Sequence, residues 1–377
     1  MRIGINARSL QGSRSGIAQY VYYLLLYLRK VDKKNEYTLF LGSSNYVFED
    51  IANFEFLLDI SDFPTKNQFS KIVWQHLYLP LRMKELRIDV FHEPAFVAPY
   101  FKKCPAVITI HDLSYKLLPN CYTLRNRLYL ERLTERSISL SDKIIAISEN
   151  TKKDILQNYK IKEEKIKVIY EGVDEVFHPM ADLKEEASAM VKAKYGISGN
   201  FILMVSLISP RKNMVNLIKA FSLLKKKGAA DHQLVIVVKK GWFFDEVFRE
   251  AENSNYSKDI IFCDFVSRYD LVTLYNAADV FVYPSLYEGF GLPLLEAMAC
   301  NCPVVASDCS SIPEVCSDAA ILVDPLDPGA FAEAISQVIN NRTLRESLIE
   351  KGRLRINNFS WEKTARETID LYNSLRR

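Results

Sequence analysis

Residues 279–300 read DVFVYPSLYEGFGLPLLEAMAC, and this stretch sets the expectation for the fold. Its first part is a run of apolar and β-branched residues, which is typical of a strand covered on both faces. Gly289 and Gly291 then allow a tight turn, and Pro293 suits the first turn of a helix. The helix that follows is apolar on nearly every side. The stretch therefore predicts a buried strand, a glycine turn and a buried helix.

Runs of the same kind occur along the whole chain. The first half contains RIGIN, YTLFLG, IDVFHE, AVITIHD, KIIAISE and IKVIYEG, and the second half contains FILMVSL, QLVIVVK, DIIFCDF, DVFVYPS, CPVVASD and AAILVDP. Helical spacing lies between many of them, as at Ile17, Val21, Leu24 and Leu28. Alternating strands and helices build parallel sheets. We therefore expect an α/β protein with two Rossmann-like, doubly wound domains that face each other across a cleft.

The length of 377 residues also suits two domains rather than one core. We expect residues 1–175 to form the first domain and residues 176–360 the second, because Pro179 and a charged segment follow the last strand of the first series. The amphipathic segment 361–377 is expected to be a helix that packs on either domain, including back on the first.

Composition excludes several classes of protein. The formal net charge is +3, which gives no strongly basic surface for nucleic acid. The residues MRIGINARSL do not show the pattern of a signal peptide, so none is expected, and the longest apolar stretch, residues 20–28, is too short to span a bilayer. The 7 cysteines are scattered, and Cys300 and Cys302 lack the usual zinc-ligand spacing. We therefore expect a cytoplasmic protein with reduced thiols and no bound metal.

Two cations follow the strand that ends at about Leu207. Arg211 and Lys212 precede a helix predicted to begin near Asn213. The N-terminus of a helix already presents positive charge, so two cations there are unfavourable unless an anion compensates them. The carboxyl end of a parallel strand is also where such sheets bind ligands. The pair therefore predicts a phosphate site, and the alternative is two solvated surface cations.

Polar side chains follow three further strands. Glu288 and Glu296 lie on either side of the glycine turn, and a carboxylate on a buried helix needs donors that a sugar diol can supply. His111 ends the run AVITIHD, where a histidine buried in the core is the alternative to a functional one. His92 and Glu93 end the run IDVFHE and are candidates for lining the cleft.

The segment EGFGLPLLE resembles the E-x7-E motif of the GT-B glycosyltransferases of family 4. SGIAQY, TIHDLSY, AISENTKKDI, VIYEGVDEVFHP and SPRKN resemble other pieces of that family in the same order, so the resemblance covers nearly the whole chain. It implies an enzyme that transfers a sugar from a nucleotide-sugar donor with retention of configuration. The first domain would then lie on the acceptor side, and the second would bind the donor.

The resemblance also implies a role for individual residues. Arg211 and Lys212 would hold the diphosphate, Glu288 the sugar hydroxyls and Glu296 the ribose. The backbone of Phe290, Gly291 and Leu292 would lie against the sugar and phosphates, Gly16 and Ile17 would border the diphosphate and acceptor, and His111 would lie near the transferred sugar. The loop FVSRYD would contact the nucleobase. The leaving phosphate, rather than a protein nucleophile, would take the proton of the acceptor.

The family resemblance leads to a specific functional hypothesis. GDP-mannose is the first expected donor and a UDP-sugar the second, with a glycan or lipid-linked glycan of surface polysaccharide or lipopolysaccharide as acceptor. No Asp-x-Asp occurs in the sequence, so neither a metal nor another cofactor is expected. The alternatives are a nucleotide-sugar epimerase, a phosphorylase, and a partner subunit without catalysis. The intact charged residues argue against the last of these. The hypothesis of an NAD oxidoreductase is weak, because no predicted strand is followed by G-x-G-x-x-G.

A lipid-linked acceptor raises the hypothesis of peripheral contact with the inner face of a membrane. Tyr20, Tyr22, Tyr23 and Tyr27, followed by Arg29 and Lys30, and the run LRNRLYLERLTERS would supply an aromatic and basic surface. The alternative is that both helices pack on the sheet and that their charges are simply solvated.

Overall fold

The computed structural model describes residues 1–11, 16–43, 56–61, 68–180, 186–228, 231–239, 245–264 and 266–376. The chain divides into two compact units, unit 1 with Met1–Gly172 and Ser360–Arg377, and unit 2 with Val173–Phe359. The expected boundaries at 175/176 and 360/361 lie close to these. Ser15 of the SGIAQY motif, Phe265 of the FVSRYD loop, and Arg377 lie outside the described residues.

Unit 1 contains one sheet of seven parallel strands in the order β3-β2-β1-β4-β5-β6-β7. The strands are β1 Arg2–Asn6, β2 Glu36–Leu41, β3 Leu57–Ile60, β4 Val90–Glu93, β5 Ala106–Ile110, β6 Lys143–Ala146 and β7 Ile166–Val168. Strand β3 was not predicted from the sequence, because only one of its four residues is buried and it shows no continuous apolar run. The apolar run IKVIYEG, which ends at Gly172, extends four residues beyond the observed end of β7 at Val168.

The helices of unit 1 are α1 Gly16–Val31, α2 Gln68–Val73, α3 Leu79–Glu85, α4 Ser114–Leu117, α5 Leu124–Leu140 and α6 Glu149–Asn158, with a π-helical segment at Trp74–Tyr78. A further helix at the end of the chain, Trp361–Asn373, also belongs to this unit. It packs on α1, where the rings of Tyr23 and Trp361 are stacked 5.2 Å apart. The hydroxyl of Thr364 donates to the carbonyl oxygen of Tyr170 at 2.6 Å.

The tyrosines of α1 do not form a surface. Tyr20, Tyr22, Tyr23 and Tyr27 are at most 8% exposed, because α1 is buried on nearly all sides. The prediction that they contact a membrane is therefore wrong. Leu124 on α5 is 63% exposed, and the part of the hypothesis that rests on α5 stays a prediction. Among the described residues, no helix is both long and apolar enough to cross a membrane.

Unit 2 contains a sheet of six parallel strands in the order β10-β9-β8-β11-β12-β13. The strands are β8 Asn200–Leu207, β9 His232–Lys239, β10 Ile260–Cys263, β11 Val280–Tyr283, β12 Val304–Ser307 and β13 Ala320–Val323. The helices are α7 Glu186–Lys194, α8 Met214–Lys226, α9 Asp245–Asn253, α10 Arg268–Ala277, α11 Leu292–Ala299, α12 Ile312–Cys316, α13 Pro328–Asn340 and α14 Arg342–Ile356. The helix at the end of the chain is thus α15.

Both sheets have the same kind of switch point. The strand order reverses between β1 and β4 in unit 1 and between β8 and β11 in unit 2. Doubly wound sheets bind ligands at the carboxyl ends of the two strands that flank this point, because the connections there leave in opposite directions. The prediction of two doubly wound α/β domains is confirmed.

Gly172 provides a test of how α15 joins unit 1. A Cβ atom at this position would collide with the backbone nitrogen of Trp361 and lie 2.6 Å from the carbonyl carbon of Ser360. We expect Gly172→Ala to lower the free energy of unfolding by about 3 kcal/mol, the upper end of overpacking costs, in urea denaturation. Gly16→Ala is the control, since no atom of the described residues lies within 4 Å of its Cβ position. Equal stability of the two variants would contradict the packing described.

Candidate functional site

The switch point of unit 2 brings two loops together. After β8, Pro210–Lys212 form a single 3-10 turn, and Asn213 adopts a left-handed conformation, with φ of 59°, before α8 begins. The side-chain amide of Asn213 donates to the carbonyl oxygen of Pro284, at 3.0 Å, in the loop after β11. The amide of Leu286 donates to the carbonyl oxygen of Arg211 at 2.8 Å. The two loops are therefore fixed to each other by these hydrogen bonds.

The carboxylate of Glu288 joins the two predicted cations. Lys212 Nζ lies 2.6 Å from Glu288 Oε1, and Arg211 Nη1 lies 2.9 Å from Glu288 Oε2. Ser285 Oγ also donates to Oε1, and Lys212 donates to the hydroxyl of Tyr283 at 2.7 Å. Glu288 and Lys212 are 6% and 7% exposed. We call Arg211, Lys212 and Glu288 the ion cluster.

The charge of Glu288 is set by its neighbours. Burial opposes ionisation, but the positive charges of Arg211 and Lys212 outweigh it and lower the pKa of Glu288 to about 2. The anion that the sequence analysis required beside these cations is therefore present within the chain. With two cations and one carboxylate, the ion cluster still has a net positive charge, which suits a diphosphate better than a neutral ligand.

The structure narrows the role expected of Glu288. Lys212 and Ser285 both donate to Oε1 of the carboxylate, and Arg211 Nη1 forms an ion pair with Oε2 at 2.9 Å. These partners leave little of the acceptor capacity of Glu288 for a sugar hydroxyl. Glu288 therefore serves first to order the two cations, a task that the sequence analysis did not foresee because it treated the cations and the glutamates separately.

The glycine turn is held from a neighbouring loop. Ser310 Oγ accepts from the amide of Glu288 at 2.9 Å, and Ser311 Oγ donates to the carbonyl oxygens of Glu288 and Phe290. Neither serine was predicted from the sequence to have a role, since nothing in their local pattern distinguishes them. The ring of Phe290 is buried against Phe359 at 5.6 Å, so only its backbone is placed to contact a ligand.

Gly291 and Leu292 form the start of α11. Gly291 has φ of 111°, a conformation that favours glycine, and its Cβ position lies 2.8 Å from Leu294 Cδ1. Leu292 is the first residue of α11 and is partly buried. Backbone contact of these two residues with a donor stays a prediction.

Glu296 lies on α11, and its two carboxylate oxygens differ in their contacts with the described residues. Oε2 accepts from the hydroxyl of Tyr275 at 2.9 Å, whereas no described residue donates to Oε1. Burial raises the pKa of Glu296 to about 7, although Tyr275 and the charge of Arg268 oppose the shift. A ligand that donates hydrogen bonds would favour the ionised form. The role of Glu296 in binding the ribose stays a prediction.

His111 lies at the carboxyl end of β5 in unit 1 and is buried. Its Nε2 atom lies 2.9 Å from the carbonyl oxygen of Pro94, and its Nδ1 atom lies 3.7 Å from Oε1 of Glu171. The rings of Tyr20 and Phe96 flank it edge-on at 4.9 and 6.0 Å. Glu171 had no predicted role, and its proximity to His111 depends on strand order. The functional role of His111 itself stays a prediction.

His92 and Glu93 are core residues rather than residues that line an open cleft. His92 is fully buried, and its two ring nitrogens contact the hydroxyls of Tyr372 and Thr109 at 2.6 and 2.9 Å. Burial lowers the pKa of His92 to about 3, so it is neutral. Glu93 is 2% exposed, accepts from Asn6 at 2.7 Å, and burial raises its pKa to about 8. The prediction that they line a cleft is wrong.

The remaining predicted positions are placed as follows. Gly16 and Ile17 are the first two residues of α1, and Gly16 is exposed. Their contacts with diphosphate and acceptor stay predictions. Within the described ranges, no three His, Cys, Asp or Glu side chains converge as a metal site would require. The seven cysteines are free thiols, five of them buried. Independence from metal stays a prediction.

Comparison with known proteins then identifies the family. The family described as Glycosyltransferase Family 4 matches residues 14–177, and the family described as Glycosyl transferases group 1 matches residues 190–355. O-antigen chain mannosyltransferase B of Escherichia coli is 30% identical over 294 residues, which are 78% of this chain and 76% of that protein. The chain belongs to glycosyltransferase family 4. The predicted family and the predicted enzyme class are confirmed.

Two further proteins are similar to this family 4 glycosyltransferase. The serotype-specific mannosyltransferase WbdA of Escherichia coli is 31% identical over 249 residues, which are 66% of this chain but 30% of that longer protein. The crystal structure of Anabaena HepE in complex with UDP-glucose has a TM-score of 0.75, with 18% identity and complete coverage of both chains. At that identity, the likeness shows the fold alone.

Removal of one partner tests the ion cluster. Glu288→Gln leaves the buried ammonium of Lys212 without its counter-ion, so we expect the free energy of unfolding to fall by about 3–5 kcal/mol in urea denaturation. Lys212→Met combined with Glu288→Gln removes that unpaired charge and should recover part of the loss. Glu333→Gln is the surface control, since the carboxylate is 55% exposed in its pair with Lys227. Wild-type stability of the single Glu288 variant would contradict the pairing.

Proposed function

We propose that this glycosyltransferase transfers a hexose from a nucleoside diphosphate sugar to a glycan or lipid-linked glycan, with retention of configuration. The observation that carries the proposal is the ion cluster at the switch point of unit 2, in which Glu288 fixes two cations beside the glycine turn. A diphosphate is the part of the donor that needs such a site. Glu296 lies on the helix that follows this turn and offers a carboxylate oxygen for the ribose.

The proposed chemistry depends on charge stabilisation. As the bond between C1 of the hexose and the phosphate oxygen breaks, negative charge develops on the diphosphate. Arg211 and Lys212, already ordered by Glu288, are positioned to stabilise this charge without reorganisation. The acceptor oxygen bonds to C1 on the face that the phosphate leaves, and its proton passes to the departing phosphate oxygen. The reaction then needs no protein nucleophile.

The first proposed donor is GDP-mannose. Two relatives at about 30% identity are named mannosyltransferases, and one is named for the O-antigen chain. These names favour mannose as the transferred sugar and surface polysaccharide as the product. A UDP-sugar is the second choice, because HepE, which shares the fold, was crystallised with UDP-glucose.

A thermal-shift screen of GDP, UDP and ADP, with GDP-mannose and UDP-glucose, tests the proposed function. A nucleotide at 100 times its Kd stabilises the folded state by about 2.7 kcal/mol, which raises Tm by several degrees. We expect one nucleoside diphosphate and the corresponding nucleotide sugar to raise Tm, and to do so in the presence of EDTA. Glu296→Ala should reduce the shift, and Glu333→Ala should retain it. The proposal fails if no nucleoside diphosphate raises Tm at millimolar concentration.

The pKa of Glu296 predicts how nucleotide binding depends on pH. The free protein binds a proton at Glu296 below about pH 7. A ribose diol donates to the ionised carboxylate, so the proton must leave on binding. We expect nucleotide affinity to rise as pH increases from 5.5 to 7 and to level off above 7, by up to about tenfold per pH unit. Isothermal titration calorimetry measures both the affinity and the released proton.

Glu296→Gln is the matched control for this pH dependence. The phosphate group of the nucleotide also titrates near pH 6, and this contribution is the same in both proteins. The variant should therefore retain only the phosphate contribution and bind more weakly above pH 7. Identical pH profiles for the wild type and the variant would show that Glu296 does not bind the ribose.

A further inference from the structure

A depression lined by lysines lies at the amino-terminal edge of the sheet of unit 1. Its volume is about 420 Å³, and its lining residues come from the end of α5, the start of β6 and the segment before β7. We call it the lysine pocket, after Lys143, Lys160, Lys162 and Lys165. His111 follows β5 at the opposite, carboxyl edge of the same parallel sheet. The lysine pocket is therefore separate from the site residues described above.

Two ammonium groups of the lysine pocket are held in place by backbone carbonyls. Lys165 Nζ donates to the carbonyl oxygens of Ile138 and Ser139 at 2.7 and 2.9 Å. Lys143 Nζ donates to the carbonyl oxygen of Glu164 at 2.9 Å. An ammonium group has three N–H donors, so Lys165 keeps one donor and Lys143 keeps two for which no described residue is an acceptor. These donors have fixed positions, unlike those of a solvated surface lysine.

The carboxylates that line the lysine pocket have other partners. Asp142 Oδ2 pairs with Lys102, outside the pocket, at 2.7 Å and accepts from the amide of Ala106 at 2.8 Å. Glu164 pairs with Lys162 at 3.5 Å. Among the described residues, no carboxylate forms an ion pair with the other three lysines. Because four lysines and two carboxylates line the pocket, two positive charges are in excess.

The environment of Lys165 favours an added anion. Its side chain is partly buried, and its two carbonyl partners lie in the last turn of α5, where backbone oxygens lack partners within the helix. Burial lowers the pKa of Lys165, Lys102 lowers it further, and the charge of Asp142 only partly opposes these effects. An anion at the remaining N–H would compensate the cost of this partly buried charge.

Solubility alone does not account for the lysine pocket. An exposed lysine on an edge strand prevents pairing with other chains, and Lys167 on the edge strand β7 fits that role. Lys167 does not line the pocket. Lys143 and Lys165 differ from it, because they are partly buried and bound to carbonyl oxygens. Their arrangement suits a ligand rather than water alone.

We propose that the lysine pocket binds a phosphate group, carried either by a small soluble anion or by the headgroup of a lipid. Lysine binds phosphate as a point charge, and donors fixed at different positions reach different oxygens of the same group. Sites for small ligands have volumes of about 300–1,000 Å³, so the pocket has room for a second phosphate or a small organic group. None of its residues was assigned to the donor or the acceptor, so the site is independent of the proposed function.

Backbone amide resonances of residues 142–144 and 160–166 provide the test, in the full chain labelled with ¹⁵N at low ionic strength. The probes are inorganic phosphate, pyrophosphate and sn-glycerol 3-phosphate, with glycerol and sodium chloride as controls. We expect a saturable change with at least one phosphate probe and none with glycerol. Added salt should weaken the binding, because it screens exposed charges.

Vesicles separate the two sources of the phosphate. Sedimentation is measured with phosphatidylcholine vesicles that contain phosphatidylglycerol and with vesicles of phosphatidylcholine alone. A saturable change with a soluble probe, without sedimentation, assigns the pocket to a small anion. Sedimentation that requires phosphatidylglycerol and the lysines of the pocket assigns it to a lipid headgroup. Either result supports the site.

A double variant separates the lysine pocket from the general charge of unit 1. Lys160→Gln with Lys162→Gln removes two exposed lysines of the pocket, and we expect the affinity for the responding probe to fall about tenfold, with Tm unchanged. Lys153→Gln with Lys167→Gln is the matched control, since it removes the same charge at exposed positions outside the pocket. The control should bind as the wild type does.

Three results would overturn the inference. The first is no saturable change with any phosphate probe together with no sedimentation that requires phosphatidylglycerol. The second is equal affinity of the pocket variant and the control variant. The third is the same change with sodium chloride as with pyrophosphate at equal ionic strength, which would show screening alone. The thermal-shift screen with nucleotides decides the proposed function separately in each case.

Discussion

Glu288 is buried in unit 2 and has to remain ionised there. The arrangement of the two loops after β8 and β11 depends on this requirement. A carboxylate that is 6% exposed is stable only if cations and hydroxyls surround it. Arg211, Lys212 and Ser285 supply them, and the hydrogen bonds between the two loops keep these donors in place. The same contacts order the two cations for a diphosphate. Stability and the proposed catalysis thus depend on one cluster of charges.

The two carboxylates around the glycine turn have different environments and therefore different tasks. Arg211 and Lys212 hold the pKa of Glu288 at about 2, whereas burial, only partly opposed by Tyr275 and the charge of Arg268, raises that of Glu296 to about 7. The first carboxylate is permanently charged and orders other groups. The second changes its charge near neutral pH, and no described residue donates to its Oε1 atom. A ligand that donates hydrogen bonds would stabilise its charged form, which links nucleotide binding to proton release.

Polar side chains at the carboxyl ends of the strands of unit 1 also have different environments, because they differ in how many of their hydrogen bonds are satisfied. His92 has a partner for each ring nitrogen, and Asn6 donates to Glu93, so both residues contribute to a satisfied core. Glu171 has no donor among the described residues, and Nδ1 of His111 faces it across 3.7 Å. All four residues lie at or just beyond the ends of strands and look alike in sequence. The number of satisfied hydrogen bonds separates structural residues from candidates for ligand binding.

The sequence by itself determined the alternation of strands and helices, because apolar periodicity is local and records how each segment is buried. It also determined the family, through motifs such as EGFGLPLLE. The tertiary structure alone decided which side chains meet. Lys212 and Glu288 are 76 positions apart, and their pairing depends on the adjacency of β8 and β11, which no local pattern encodes. The burial of the tyrosines of α1 and the existence of the edge strand β3 did not follow from the sequence for the same reason. Whether a residue is buried depends on the neighbours that the fold brings to it.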